Sequence, residues 1–561
     1  MSDPYVHLHV ASGYSLRYGA NHPSELVERA AEHGMSALAL TDRDGLSGAV
    51  KFAVACREAV IRPIFGLDLA LGSVAGQLSG RAKLPPALAG VRLPGLPPGR
   101  KTPARGGASV DARLPRITVL ARGGIGWRAL CRLTSDTHLA GERGMPVSSR
   151  DLVAEHAGDG ALVALLGPDS TVGRALATRR PDRAEAELEA WRDRLGTQQV
   201  YLEIVHHRAQ GDRSRAESML RFGLRTGAPM VLTNAVRYVD QFDAPTADVL
   251  DASRRLVPLD LRHLDRRSAE GYLKSGKEMA EIAADLADDE IGTRLLTTTA
   301  RLAEQCAVDP RRDLGLGTVH FPELEVVRAP DEAGLRAGEV LSRRCEAGFG
   351  RRGMAVTDAV RQRLTDELGV IETRGYPSYF LTVADVADLI RSMGVRAAAR
   401  GSGAGSLVTY LLGISDVDPI RYRLLMERFL SPLRKALPDI DIDVESARRM
   451  EVYDAVIERY GDDRVSCVSM MDTYRVRHAI RDVGAALGMP LGEIDTLAKA
   501  FPHIRANQAR AALRDLPVGR AVCGRPAAGS GPGHGALSGT RCRARSERSG
   551  TVRSRSALPA L

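Results

Sequence analysis

Three aspartates alternate with apolar residues in the stretch LPDIDIDVES, residues 437–446. Side chains two apart on a β-strand point to the same face, so Asp439, Asp441 and Asp443 would share one face. At a rise of about 3.3 Å per residue, the carboxylates of Asp439 and Asp441 originate about 6.6 Å apart and can both reach a pair of divalent cations. Mg²⁺ takes such oxygen ligands together with substrate phosphates. The stretch therefore predicts a two-metal site.

Three other interpretations exist for this acidic stretch. An acidic surface strand is the ordinary explanation for one or two aspartates, but it is the weaker one for three in register, because like charges side by side repel. A phosphatase-type aspartyl nucleophile stays open, although RKALP precedes the aspartates where such strands usually have a continuous apolar run. An EF-hand calcium loop is excluded, because Val444 stands where that loop needs glycine and Met450 where it needs glutamate.

A glycine-rich turn precedes the aspartates in ARGSGAGSLVTYLLG, which begins at Ala399. Its glycines, among them Gly401 and Gly403, let backbone N–H groups face an anion, and Ser406 stands where it would cap the apolar helix that follows. Arg400 adds a fork suited to phosphate oxygens. The turn does not end in GK[ST], so it is not a Walker A loop. Such a turn is commonly a linker, but beside a metal strand it indicates phosphoryl or nucleotidyl transfer.

Two histidines near the N-terminus, His7 and His9, stand two residues apart in YVHLHV, and Asp68 follows in FGLDLAL. On a strand the two histidines could ligate one metal ion, with Asp68 as an acidic partner. A histidine pair at the start of a strand is also commonly structural.

The elements that must position these residues change character along the chain. Residues 1–70 alternate apolar strands with amphipathic helices, as βα units around a parallel sheet or barrel do. A Pro/Gly/Arg-rich insertion at about 73–115 has the composition of a surface loop. Strand-like runs return and close the first unit near 255, and long amphipathic helices then lead to the glycine turn and the aspartates.

The tail from about 519 has no helical or strand period, which predicts disorder. From residue 520 onward it holds eight arginines and one acid, Glu547, and so carries +7 of the formal +9. The total favours a polyanionic partner such as nucleic acid, but the preceding body contributes little to it. Seven cysteines without C-x-x-C spacing suggest neither a zinc ribbon nor a disulfide framework. With no signal peptide and no apolar run long enough to span a membrane, we expect a cytoplasmic protein without membrane partners.

Several of these stretches resemble, in the same order, the palm of the bacterial C-family DNA polymerases, which comprise the alpha subunit of DNA polymerase III and its error-prone paralogue. They are GYPSYFLTVADV, RGSGAGSLVTYLLGISDVDP, ERFLSP, LPDIDIDVE and HAIRDVGAALG. The resemblance runs from residue 4 to about 515. It implies an error-prone DNA-directed DNA polymerase that uses primer–template DNA and dNTPs, with other replication or translesion proteins as further partners.

The resemblance also assigns residues and domains. It implies that Asp439 and Asp441 ligate the catalytic Mg²⁺ ions. It implies that the triphosphate of the dNTP is held by Arg400, Gly401, Ser402, Gly403 and Ser406. The expected fold is an α/β multidomain chain: a PHP-type (β/α) barrel at 1–255, a partial polymerase-β-like palm with a helical lead-in at 256–450, a helical thumb-like region at 451–518 and a disordered basic tail at 519–561. Basic residues of the next helix would face primer–template phosphate or solvent, namely Arg475, Arg477, His478 and Arg481.

The barrel departs from the metal-active members of the PHP family. Arginine stands at three positions where those members carry a metal-binding histidine, namely Arg43, Arg116 and Arg237, while Tyr18 and Ala235 replace aspartates. An arginine cannot lose its proton to become a ligand, and it brings positive charge to the place of the cation. We therefore expect a scaffold without nuclease or phosphatase activity at His7, His9 and Asp68.

The resemblance gives way to the Arg/Ala/Gly/Pro/Ser tail before the third catalytic aspartate and the fingers of the family. This abrupt change is typical of a shifted reading frame or a mis-assigned gene end, and a natural basic tail is the milder alternative. We expect that the 561-residue product does not extend primers alone. Two other hypotheses stay open: a metal-dependent phosphoesterase or 3′-exonuclease of the barrel, and a non-catalytic nucleic-acid-binding fragment.

Overall fold

A computed structural model describes residues 4–72, 114–140, 146–158, 160–430, 438–461, 463–466, 473–502 and 504. The chain divides into two compact units. Among the described residues, the first unit contains those up to Thr318 and those after Met470, and the second contains those from Val319 to Ser469. The disordered tail predicted at 519–561 and nearly all of the insertion predicted at 73–115 lie outside the described residues.

Six strands form one sheet in the first unit, and they neighbour one another in chain order. They are β1 (Ala37–Arg43), β2 (Arg62–Ala70), β3 (Arg116–Ala121), β4 (Leu162–Leu166), β5 (Val200–Val205) and β6 (Met230–Thr233). Nearly every strand residue is buried. This burial explains why the strands read as continuous apolar runs in the sequence.

The N-terminal segment closes the sheet into a barrel. On one side, the carbonyl of His7 accepts a hydrogen bond from the N–H of Ala39 in β1, at 3.0 Å. On the other, the carbonyl of His9 accepts one from the N–H of Val236, just beyond β6, at 2.9 Å. The expected α/β barrel is thus confirmed, although residues 4–9 form no regular strand.

One strand runs against the expected parallel order. β3 is antiparallel to both of its neighbours, whereas β1 with β2, β4 with β5 and β5 with β6 pair in parallel. A strand buried on both faces has the same apolar pattern in either direction, so the sequence could not reveal this reversal.

Ten helices accompany the strands in the described part of the first unit up to Thr318. They are α1 (Pro23–Glu32), α2 (Ala49–Ala59), α3 (Gly123–Ala140), α4 (Arg150–Ala157), α5 (Thr171–Ala177), α6 (Pro181–Leu195), α7 (Asp212–Thr226), α8 (Ala244–Arg255), α9 (Gly276–Leu286) and α10 (Asp289–Cys306). Leu302, Ala303 and Cys306 of α10 pack into the same buried cluster as strand residues. Because α10 packs against the strands, the first unit extends beyond residue 255, which the sequence predicted as its end.

The second unit is mainly helical and contains a two-stranded antiparallel ribbon. Its elements are α11 (Ala337–Arg352), α12 (Asp358–Thr373), α13 (Pro377–Ser392), β7 (Ala397–Arg400), α14 (Leu407–Leu411), β8 (Asp441–Val444) and α15 (Arg449–Tyr460). Its core includes the edge-to-face pair of Phe380 and Phe429, whose ring centroids lie 6.0 Å apart.

Two further helices, α16 (Val476–Ala486) and α17 (Leu491–Ala500), belong to the first unit. The N–H of Leu259 donates to the carbonyl of Ala486 at the end of α16, at 2.8 Å. The region predicted as one thumb-like block, 451–518, is therefore shared: α15 packs in the second unit, and α16 and α17 pack in the first. Among the described residues, no helix is long and apolar enough to cross a membrane.

Candidate functional site

The glycine turn bends sharply directly after β7. Gly401 has φ +81°, in the region that favours glycine, and it is exposed together with Ser402. Gly405 approaches another segment closely, since a Cβ on it would lie 2.9 Å from the carbonyl oxygen of Leu425. Gly403 is buried, and its carbonyl accepts a hydrogen bond from Thr409 Oγ1 at 2.7 Å. The outward part of the turn thus consists of Arg400, Gly401 and Ser402.

Ser406 caps α14, as the sequence predicted, but it faces the interior. It is fully buried, and its hydroxyl donates to Glu367 Oε2 at 2.8 Å. The Glu367 carboxylate also accepts hydrogen bonds from the N–H groups of Leu407 and Val408, at 3.0 and 3.2 Å. An internal carboxylate thus occupies the position at the start of α14 where an external anion would lie.

The two strands of the ribbon place Arg400 beside the aspartates. Arg400 is the register partner of Asp441. Its Nη2 lies 3.5 Å from Asp441 Oδ2, and its Nε lies 3.2 Å from an Asp443 carboxylate oxygen. Ile442 and Val444 pack on the other side against a cluster that includes Ile390 and Val452. The alternation of aspartate and apolar residues therefore separates a solvent face from a packed face.

Asp439 directly precedes Ile440 and β8, and it is exposed. The N–H of Ile440 donates to the hydroxyl of Tyr379 at 3.2 Å. Burial raises the pKa of Tyr379, and the negative charges of Asp439 and Asp441 raise it further. A Cβ on Gly401 would lie 3.8 Å from Asp441 Oδ2. The turn and the aspartates thus meet at one exposed edge of the second unit.

This edge offers part of a metal ligand set. The side chains of Asp441 and Asp443 are 41% and 62% exposed, so their oxygens are accessible. Within the residues that the structure describes, no group of three or more His, Cys, Asp or Glu side chains is arranged to hold a metal ion. Mg²⁺ commonly binds through one or two carboxylates and completes its shell with water and phosphate oxygens. The exposed carboxylates at this edge, those of Asp439 and Asp441 among them, offer the oxygen donors that such an ion takes.

The first unit contains a separate cavity of about 310 Å³. His9, Asp68, Glu203 and several arginines, including Arg43 and Arg116, line it. His9 and Asp68 therefore share one cavity. His7 does not line it: this side chain is fully buried, and its Nε2 lies 2.8 Å from the carbonyl oxygen of Lys274.

Two arginines bind the carboxylate of Asp68. Arg43 Nε donates to Asp68 Oδ2 at 3.0 Å, and Arg116 Nε donates to Asp68 Oδ1 at 2.9 Å. Burial alone would raise the pKa of Asp68, but the positive charges of Arg116 and Arg43 outweigh it and hold the pKa below its ordinary value. The guanidinium groups neutralise the acid that a metal ion would have needed as a ligand.

Tyr18 lies between two of the arginines. The Cζ atom of Arg43 lies 3.3 Å from the ring centroid of Tyr18, and that of Arg237 lies 4.0 Å from it. Arg237 also donates to Asp251, with Nη2 2.8 Å from Oδ1 of a fully buried carboxylate. Stacked and ion-paired guanidinium groups thus fill this wall of the cavity.

His9 is bound by a residue that the sequence reasoning missed. Its Nδ1 lies 2.7 Å from Glu203 Oε1, and Glu203 is almost fully buried. Burial alone would lower the pKa of His9, but the charge of Glu203 and its hydrogen bond outweigh it and raise the pKa. The signal was a lone acid within the apolar strand VYLEIV. With both oxygens of Asp68 bound by guanidinium groups, and with Arg237 also lining the cavity, the residues present do not fit a metal centre.

The four basic residues predicted along α16 separate into two pairs. Arg477 Nε donates to the carbonyl of Phe501 at 3.0 Å, and Arg481 pairs with Asp495 at 3.1 Å. Arg475 and His478 are exposed. Arg477 and Arg481 thus contact neighbouring residues of the first unit, whereas Arg475 and His478 present their basic groups to solvent.

Comparisons with known proteins match both units. A model of the PHP domain matches residues 7–207, and a model of the bacterial DNA polymerase III alpha NTPase domain matches residues 339–521. An error-prone DNA polymerase of Mycobacterium tuberculosis (strain ATCC 25618 / H37Rv) is 35% identical over 510 residues, which cover 89% of this chain and 42% of the relative.

Two other matches extend this picture. The DNA polymerase III subunit alpha of Treponema pallidum (strain Nichols) is 30% identical over 500 residues, which cover 89% of this chain and 39% of the relative. A solved amidohydrolase from Chromobacterium violaceum, with bound sulfate and no metal, is 14% identical with a TM-score of 0.23, and the match covers 42% of this chain and 87% of that one. The chain thus spans less than half the length of the curated relatives it matches.

Proposed function

We propose that this chain, which belongs to the bacterial C-family DNA polymerases, provides part of the nucleotidyl-transfer site of an error-prone DNA-directed DNA polymerase. The observation that carries the proposal is the exposed edge at which the Arg400 turn meets Asp439 and Asp441. The matched domain model covers that edge, and several similar relatives are named error-prone DNA polymerases. Its substrates would be dNTPs and primer–template DNA, and other replication or translesion proteins and a cytoplasmic location are part of the same proposal.

In this proposal Asp439 and Asp441 hold Mg²⁺. The ions would neutralise the triphosphate and promote attack by the primer 3′-OH, as in two-metal phosphoryl transfer. The carboxylates of the chain supply oxygen ligands from an edge whose backbone is anchored by Ile442, Val444 and Tyr379. This anchoring fixes the ligand positions before substrate binds.

Arg400, Gly401 and Ser402 are the residues we assign to the triphosphate. The side chain of Arg400 is 64% exposed, so its ion pairs with Asp441 and Asp443 are weak and can be exchanged for phosphate oxygens. Asp443 would hold the guanidinium in place while no nucleotide is bound. Gly403 and Ser406 support the turn from inside, where the Glu367 carboxylate satisfies the N–H groups of α14.

A primer-extension assay tests the proposal. The chain would be joined to the region of the Mycobacterium tuberculosis relative that follows the matched segment and assayed with Mg²⁺ and dNTPs. We expect extension by this fusion and a loss of at least about 100-fold in the Asp441→Asn variant, because a metal ligand acts on the transition state.

Asp443→Asn serves as the matched control, since it removes a neighbouring carboxylate on the same exposed face. We expect the control to retain extension within about tenfold, equivalent to about 1.4 kcal/mol. Extension by Asp441→Asn at the rate of the unsubstituted fusion would contradict the proposal.

A further inference from the structure

Arg17 links the barrel to the α16 segment, and the sequence did not predict this contact. This residue has φ +54°, which a non-glycine residue rarely adopts, and its side chain is 8% exposed. Arg17 Nη2 donates to Asp482 Oδ2 on α16 at 3.1 Å, and its Nε donates to the hydroxyl of Tyr474 at 3.2 Å. Tyr474 in turn donates to Asp482 Oδ2 at 2.7 Å. One arginine of the barrel thus binds two half-buried polar groups of the α16 segment.

The loop that contains Arg17 is also held by residues that line the cavity. Tyr18, the next residue, is stacked between Arg43 and Arg237, and its carbonyl accepts a hydrogen bond from Arg237 Nη2 at 3.2 Å. Arg17 Nη1 donates to the carbonyl of Ser253 at 3.0 Å. Arg43 and Arg237 both line the cavity, so the arginines that fill the cavity also hold the loop that carries Arg17.

We propose that the arginine-filled cavity is a metal-independent anchor that positions α16, and that Arg17 is the positioning residue of this link. The anchor thereby holds the segment that contains two exposed basic residues, Arg475 and His478. The contact of these groups with nucleic-acid phosphate rests on the proposed function, but the anchor itself does not.

Burial makes the link sensitive to the loss of one partner. Asp482 is 24% exposed and Arg17 is nearly buried, so removal of the carboxylate takes a counter-charge away from a guanidinium in a poorly hydrated place. Burial, together with the hydrogen bond to Asp482, raises the pKa of Tyr474 to about 12, so Tyr474 remains a donor at neutral pH.

Hydrogen–deuterium exchange of the full chain tests the anchor. In Asp482→Asn we expect the amides of 476–486 to exchange at least about tenfold faster, while those of β1 to β6 keep their protection, because local opening does not require the barrel to unfold. A chelator should leave the unsubstituted chain unchanged. The matched control is Asp495→Asn, which removes an exposed carboxylate from the same helical pair without touching the cavity, and it should change exchange of α16 less than about threefold.

A second variant keeps the test decisive. Arg17→Lys removes the fork that reaches both Tyr474 and Asp482, and the double variant with Asp482→Asn should exchange no faster than the faster single variant, because both cut one link. Unchanged protection of α16 in Asp482→Asn, or a chelator effect as large as that of the substitution, would overturn the proposal. If α16 loosens but binding of a primer–template duplex is unaffected, the anchor stands and the assignment of α16 to nucleic acid fails.

Discussion

At the level of single residues, the arginines of the barrel cavity determine whether a metal cation can bind there. The sequence predicted from Arg43, Arg116 and Arg237 that a cation would find positive charge in its place. The structure identifies the acids involved: Asp68 for the first two arginines and Asp251 for the third. The arginines could be recognised because their motifs are local, whereas Asp251 and Glu203 come close only through folding.

Removal of one of these arginines should destabilise the first unit. In Arg116→Ala the nearly buried Asp68 keeps its charge but loses one partner, and we expect the free energy of unfolding to fall by about 3–5 kcal/mol. Urea denaturation checks this value. Arg57→Ala, an exposed arginine on α2, is the control and should change stability by less than about 0.5 kcal/mol. Equal effects of the two substitutions would refute a structural role for Arg116.

The pair of His9 and Glu203 should make stability depend on pH. Since folding raises the pKa of His9, its contribution is complete below the ordinary histidine value of about 6.5 and is lost as pH rises through the raised value. His9→Gln should therefore cost about 1–3 kcal/mol at pH 5.5 and progressively less at higher pH. Urea denaturation of both proteins between pH 5.5 and 8.5 measures the difference, and a difference that grows with pH would contradict this assignment.

At the level of elements, the sequence identified the acid strand and the glycine turn but not what supports them. Asp441 and Asp443 do alternate with half-buried apolar neighbours, and Ser406 does cap a helix. The carboxylate that satisfies this helix comes from Glu367 on α12, a contact between distant positions that no spacing in the sequence reveals. The direction of β3 was hidden for a similar reason, because burial on both faces erases the periodicity that would report it.

Glu367 should therefore be essential to the turn. In Glu367→Gln an amide NH₂ group would replace one of the oxygens that accept from Ser406, Leu407 and Val408, and we expect a loss of about 2–3 kcal/mol in the stability of the second unit. Thermal or urea unfolding checks it. Asp366→Asn changes the adjacent exposed acid of α12 and should be nearly neutral, so the hypothesis fails if both variants unfold alike.

At the level of the whole molecule, the sequence predicted that a barrel precedes a mainly helical part, but it did not predict the boundaries of the two units. The sequence ended the first unit at 255, whereas α10 and, later in the chain, α16 and α17 also pack in it. Amphipathic helices reveal that they have an apolar face, but they do not reveal which surface covers that face. The assignment of a function to the chain rests on the exposed edge of the second unit.

Binding of nucleotide at that edge is the most direct test of the account. Mg²⁺–dATP would be titrated by calorimetry into the 561-residue chain and into its Asp439→Asn/Asp441→Asn variant, with Asp443→Asn as the control. We predict that the double variant binds at least about tenfold more weakly, a loss of about 1.4 kcal/mol or more, and that the control stays within about threefold of the unsubstituted chain. Equal affinity of the double variant and the unsubstituted chain would contradict the assignment of Asp439 and Asp441 as the metal ligands of a nucleotidyl-transfer site.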